Sequence, residues 1–242
     1  MTSYAKPIVA LDVATAGEAI ALARQLREDC HFFKVGNELF TAAGPAIVRE
    51  LRDRLGADVF LDLKFHDIPN TVASAVRASV ALGARLVTVH AAGGRAMLEA
   101  AQEAAGSTCG VLGVTILTSH DDATLSDSWG KANARVEDEV LRLAGLCVDA
   151  GLHGVVSSGE EASALQAAFG DQLALLVPGI RLQGEEAHDQ RRVITPHGAQ
   201  RAGARYIVLG RTVTAAADPR IAFRKVLIDL AKDTVDGMPA MA

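Results

Sequence analysis

Short apolar runs of Val, Ile and Leu recur along the chain, separated by Ala-rich stretches whose apolar positions return every three or four residues. Runs of this length without polar alternation read as strands covered on both faces, and the intervening period as amphipathic crossover helices. The pattern predicts strands at 8–13, 32–36, 59–65, 86–91, 110–118, 154–158, 173–179 and 206–211. It predicts helices over 17–28, 45–55, 70–82, 95–105, 136–150, 160–169, 196–202 and 219–231. Punctuation agrees: Asp218-Pro219 has the order of an N-cap and first helical residue, and Gly56, Gly83, Gly106, Gly151 and Gly203 fall where helices should stop.

About eight strand-helix pairs in 242 residues is the arithmetic of an α/β chain folded as a (β/α)8 TIM barrel. The rival is an open doubly wound sheet, which for dinucleotides would carry GxGxxG after the first strand; neither that turn nor GxxxxGK[ST] is present. No linker, charge block or low-complexity tract divides the chain. The expectation is therefore one domain over 1–242, with 120–135 and 184–192 as polar loop insertions and a frayed tail from about 233.

Composition narrows the function classes. Half the residues are apolar and only 4% aromatic, which suits helix-on-sheet packing better than base stacking. Lys+Arg of 24 against Asp+Glu of 29 leaves a net charge of -5, so neither nucleic acid nor an anionic membrane is an expected partner. Any anion must be caught locally. Cys30, Cys109 and Cys147 are odd in number and far apart, which argues against a disulfide framework and a structural zinc. No signal-peptide core and no run near the ~18 apolar residues of a membrane span is seen, so a cytoplasmic location is expected.

In such a barrel, reactive groups project from the C-terminal strand ends. Those ends carry Asp12, Lys34, Asp62 with Lys64, His90, Thr118 with Ser119, Ser157 with Ser158, Arg181, and Gly210 with Arg211. Asp62 and Lys64 are two residues apart and so share a strand face, while Leu61, Leu63 and Phe65 take the other. Lys34 would add a second ammonium and Asp67 a second carboxylate, giving a neutral set. A lysine between carboxylates keeps its proton, which suits a general acid better than a Schiff-base nucleophile. The bland alternative is a structural ion-pair network. Against it stand Pro178-Gly179-Ile180-Arg181 and Gly210-Arg211, a glycine and a guanidinium at each of the two strand ends where barrels often hold phosphate.

The segment from Asp62 to Thr71, DLKFHDIPNT, resembles the DxKxxDIPxT signature of the orotidine 5'-phosphate decarboxylase family. Ordered matches at Ala10-Leu11-Asp12, Phe33-Lys34-Val35-Gly36, Val89-His90-Ala91, Leu117-Thr118-Ser119, 178–181, 189–192 and 207–211 extend it across nearly the whole chain. The resemblance implies cofactor-independent, metal-free conversion of orotidine 5'-phosphate to uridine 5'-phosphate. Lys64 would protonate C6 after CO2 loss, Asp62 would face the departing carboxylate, Lys34 would hold Asp62 and a ribose hydroxyl, and Asp12 would make the other ribose contact.

The same resemblance has Thr118 or Ser119 facing the base and Arg181, Gln190, Gly210 and Arg211 holding phosphate, with Pro178 and Ile68 also lining the substrate. Asp67 and Thr71 would reach the neighbouring subunit's site in a homodimer. Leu182 and Ser157 depart from the family pattern where no chemistry resides. Two other classes remain open: a Mg2+-dependent sugar-phosphate lyase of the same superfamily, which would want a carboxylate where this chain has Lys34, and a non-catalytic phosphate-ligand binder. His66, His120, His153, His188 and His197 have no ligand-like spacing, and His90 reads as a hydrogen-bonded strand-end residue.

Overall fold

The computed structural model describes residues 4–184 and 193–232. Eight strands run in parallel: β1 (Lys6–Ala10), β2 (Phe32–Gly36), β3 (Asp58–Phe65), β4 (Leu86–His90), β5 (Gly110–Val114), β6 (Gly154–Val156), β7 (Ala174–Val177) and β8 (Ala204–Leu209). They pair in chain order, and β1 closes on β8 through Lys6 to Tyr206 and Val9 to Leu209. The helices are α1 (Ala16–Leu26), α2 (Asn37–Ala43), α3 (Ala46–Leu55), α4 (Pro69–Ala81), α5 (Arg95–Ala105), α6 (Asp122–Trp129), α7 (Val136–Asp149), α8 (Gly159–Phe169), α9 (Pro196–Arg201), α10 (Arg211–Thr214) and α11 (Pro219–Leu230). The expected (β/α)8 barrel is thus present, one strand for each apolar run.

Alternation along each strand sorts side chains into two cores. Val9, Phe33, Val35, Leu61, Val87 and Val111 face outward against the helices. Ile8, Phe60, Leu86, Leu112, Leu176 and Tyr206 face inward and fill the barrel. Because the inner residues pack tightly toward the strand N-termini, the polar strand ends are left to form the opposite mouth. Helix ends follow their caps: Thr15 and Glu18 form a capping box at α1, and Asp218 accepts the Arg220 and Ile221 backbone N–H groups ahead of Pro219. All three cysteines are buried and free.

Three details differ from the sequence pattern. Six of the eight strands stop short of their predicted C-terminal ends, β2 and β3 being the exceptions: β5 stops at Val114, not at 118, so Thr118 and Ser119 lie in the following loop. Within 120–135, read as loop, α6 forms with Asp121 accepting the Thr124 N–H and Gly130 closing it in the left-handed region. Its buried anchor is Leu125 alone, too little apolar repeat to show as a helical period. The short α2 and α10 also went unpredicted, since seven and four residues are too few to show a helical period. The expected frayed tail and most of the 184–192 insertion lie outside the described residues.

Candidate active site

The C-terminal mouth of the barrel holds a cavity of about 420 Å³, within the usual range for a small-molecule site. Its floor is apolar, with Phe60, Val114, Val156, Leu176 and Val208 reaching up from the inner core. Above them runs a row of alternating charges. Lys34 Nζ lies 2.7 Å from Asp12 Oδ1 and 3.7 Å from Asp62 Oδ2, and Lys64 Nζ lies 2.8 Å from Asp62 Oδ1. Side-chain exposure is 10% for Lys34 and 15% for Asp62, so the middle of the row is largely desolvated. Charges so placed are tolerated because each is answered by an opposite one; removing a partner from a buried pair typically costs about 3–5 kcal/mol.

Local geometry explains how a strand delivers them. Lys34 points inward because Phe33 and Val35, its neighbours on β2, take the outer core. Asp62 points inward by the same alternation after Phe60. Lys64 follows the same alternation across an irregular stretch. Pairing between β3 and β4 slips between Leu61 and Phe65, and Lys64 adopts φ 50°, the left-handed region. A bulge re-aims a side chain, and a non-glycine residue at positive φ costs about 1–3 kcal/mol, so its surroundings must hold it there. Asp62 and Lys64 both line the cavity while Leu63 and Phe65 pack with Leu61 in the outer core, as alternation predicts; the irregularity adds two residues on β3, keeps that parity and bends the backbone at Lys64.

The wall formed after β7 and β8, next to β1, is basic. Arg181 is 7% exposed and donates from Nη1 to Ile180 O at 2.8 Å; Thr212 Oγ1 donates to the same carbonyl at 3.0 Å, tying the loop after β7 to α10. A parallel bridge between Ile180 and Ile194 braces that loop from behind. Pro178, Gly179, Gly210 and Arg211 complete the wall, with Gly179 at φ 75°. Lys34, Lys64, Arg181 and Arg211 face only Asp12 and Asp62 among the charged groups described at the cavity, a local charge of +2 on a chain of net -5.

Other sequence candidates fall elsewhere. Thr118 lines the cavity, whereas Ser119 is exposed one residue further along. Asp67, Ile68 and Thr71 are all exposed, and Asp67 Oδ1 accepts its neighbour Ile68's N–H at 2.6 Å. The neutral set expected from Asp67 is therefore not assembled within one chain: the turn after β3 carries Asp67 away from the cavity. Gln190 lies outside the described residues. Ser157 and Ser158 are buried behind the rim, where Ser158 caps α8 and bonds Glu161.

The sequence reading missed Thr88, whose hydroxyl lies 3.1 Å from Asp62 Oδ1 and accepts the Lys64 backbone N–H at 2.9 Å. A lone hydroxyl inside the LVTVH run of β4 was its one signal. His90 stacks against His66 with ring centroids 5.4 Å apart; burial, then His66 and Lys64, hold its pKa below 6.5 against an opposing effect from Asp62. No group of three His, Cys, Asp or Glu side chains that could hold a metal ion occurs among the described residues, and no described helix is long and apolar enough to cross a membrane.

Comparison with known proteins bears on this geometry. The sequence model of the "Orotidine 5'-phosphate decarboxylase / HUMPS family" matches residues 5–226. The chain is 49% identical over 227 residues to the orotidine 5'-phosphate decarboxylase of Halorhodospira halophila, covering 93% of this chain and 95% of that relative. It is 49% identical over 226 residues to the enzyme of that name from Methylacidiphilum infernorum, covering 93% and 97%. The crystal structure of orotidine 5'-phosphate decarboxylase from Lactobacillus acidophilus superposes with a TM-score of 0.82 at 34% identity, covering 94% of this chain and 99% of that one.

Proposed function

The chain belongs to the orotidine 5'-phosphate decarboxylase family, and on that premise we propose that it converts orotidine 5'-phosphate to uridine 5'-phosphate in pyrimidine nucleotide synthesis. One observation carries the reading: the alternating row Asp12, Lys34, Asp62, Lys64 shares a single cavity with two arginines. A substrate with a phosphate at one end and a carboxylate at the other suits a cavity whose described charges sum to +2.

The chemistry accounts for each group. When the C6–CO2 bond breaks, its electron pair stays on C6 with no adjacent carbonyl to accept it. The protein must then lower the barrier by ~20 kcal/mol, toward the high end of enzymatic catalysis. The Lys64 ammonium, fixed by Asp62, stabilises the growing negative charge before it forms and then gives C6 its proton. Asp62 faces the leaving carboxylate. Lys34 holds Asp62 and a ribose hydroxyl, and Asp12 takes the other hydroxyl. Thr118 or Ser119 meets the base beside Pro178. Arg181, Arg211, Gly210 and Gln190 bind the phosphate, whose binding energy is spent far from the reacting carbon.

No metal or organic cofactor enters this scheme. Lys34, paired to two carboxylates, stands where a magnesium-dependent lyase of the superfamily would place a carboxylate. The exposed Asp67, in the turn after β3, and Thr71, in the first turn of α4, are assigned to the cavity of a second copy, making the enzyme a homodimer with shared sites. A reducing cytoplasmic compartment fits the three buried free thiols.

The test follows substrate loss by ultraviolet absorbance with a chelator present. Wild type should turn over, and Lys64→Ala should lose at least about 10³-fold in kcat. No turnover by wild type, or full turnover by the variant, would sink the reading.

A further inference from the structure

The bulge that aims Lys64 has a partner on the neighbouring strand. Leu61 pairs with Val87 and Phe65 with Val89, so β3 advances four residues while β4 advances two. Asp62, Leu63 and Lys64 therefore stand opposite Thr88 alone. In an unbroken parallel ladder the Lys64 N–H would meet a backbone carbonyl of β4; here it meets the Thr88 hydroxyl at 2.9 Å. A backbone N–H only donates, so Thr88 Oγ1 accepts that bond. Its own proton is then directed at Asp62 Oδ1, 3.1 Å away, the same oxygen that receives Lys64 Nζ at 2.8 Å.

Thr88 is fully buried, facing into the barrel while Val87 and Val89 face out. Packing does not call for a hydroxyl there, since valine has the same shape. Both hydrogen-bonding capacities of the hydroxyl are spent on the pair at the centre of the site, one on the backbone of Lys64 and one on the side chain of Asp62. We propose that Thr88 is a positioning residue: its hydroxyl holds Lys64 in the left-handed conformation and orients the Asp62 carboxylate, fixing where the ammonium points. It touches neither substrate nor phosphate, acting only through its two neighbours. The inference rests on the decarboxylase reading for its kinetic consequence.

Thr88→Val and Thr88→Ser separate shape from hydrogen bonding. The expected result is a loss of about 10²-fold in kcat for T88V with KM changed little, and recovery to within about threefold of wild type for T88S. Melting temperature should not follow kcat. Crystal structures of wild type and T88V supply a readout independent of turnover: Lys64 should keep positive φ in the first and relax toward ordinary strand values in the second. Wild type without decarboxylase activity would refute the functional reading, while the backbone comparison would still decide the positioning role. T88V with wild-type kcat and an unchanged Lys64 backbone, or T88S as impaired as T88V, would overturn the inference.

Discussion

A methyl group at position 36 would stand 2.9 Å from Lys34 Nζ and 3.1 Å from Asp12 Oδ1: glycine there is what leaves the ammonium its place between two carboxylates. The backbone at Gly36 has φ -92°, which alanine adopts freely, so the conflict concerns the charged pair and not the fold. Gly36→Ala should therefore fold with little change in melting temperature yet lose about tenfold or more in kcat/KM, because the far end of the lysine has to move. Undiminished activity would show that the row tolerates displacement.

Arg181 carries its guanidinium into a buried setting, with Nη1 on Ile180 O. Lysine is a point charge without the fork needed to hold that carbonyl and an anion together. Arg181→Lys should raise KM for the nucleotide by about 10–100-fold and affect kcat less. An unchanged KM would remove Arg181 from the phosphate site.

The proposed sharing of sites between two copies is tested by complementation. Lys64→Ala and Asp67→Ala homodimers should each be nearly inactive, whereas an equal mixture after subunit exchange should recover up to about a quarter of wild-type activity. Half of the dimers would be mixed, each with one intact site. Verified exchange without recovery would count against Asp67 serving its neighbour's cavity.

The lowered pKa of His90 ties stability to pH. The folded state binds this proton less readily than the unfolded chain, whose imidazole titrates near 6.5. Between the folded value and 6.5 the unfolded state holds more protons, so stability rises with pH across that window and is lost as pH falls through it. Thermal melts from neutral pH down to about 5 should show wild type losing stability faster than His90→Gln. Parallel curves would mean that His90 titrates alike in both states.

Much of this molecule is legible before folding. The eight strands follow from apolar runs because a strand covered on both faces has no room for alternation, and most of the helices from a period that persists over about three turns. The site residues Asp12, Lys34, Asp62, Lys64, Arg181 and Arg211 share one cavity because barrel topology brings every C-terminal strand end to the same mouth. Helix α6 escaped because one buried leucine makes no period.

What tertiary structure decided is direction. Local spacing puts Lys64 on the face of Asp62, but the bulge opposite Thr88, a product of pairing between β3 and β4, turns its backbone. Residue order names Asp67 as a fourth charge, but the turn sends it outward, and Asp12 completes the alternating row instead. Periodicity and composition constrain which residues are buried together, because burial depends on the chain's own repeat. Where a charge points depends on which neighbour meets each hydrogen-bonding group, and those neighbours, Thr88 for Lys64 and Asp62 for Lys34, become adjacent only when the strands pair.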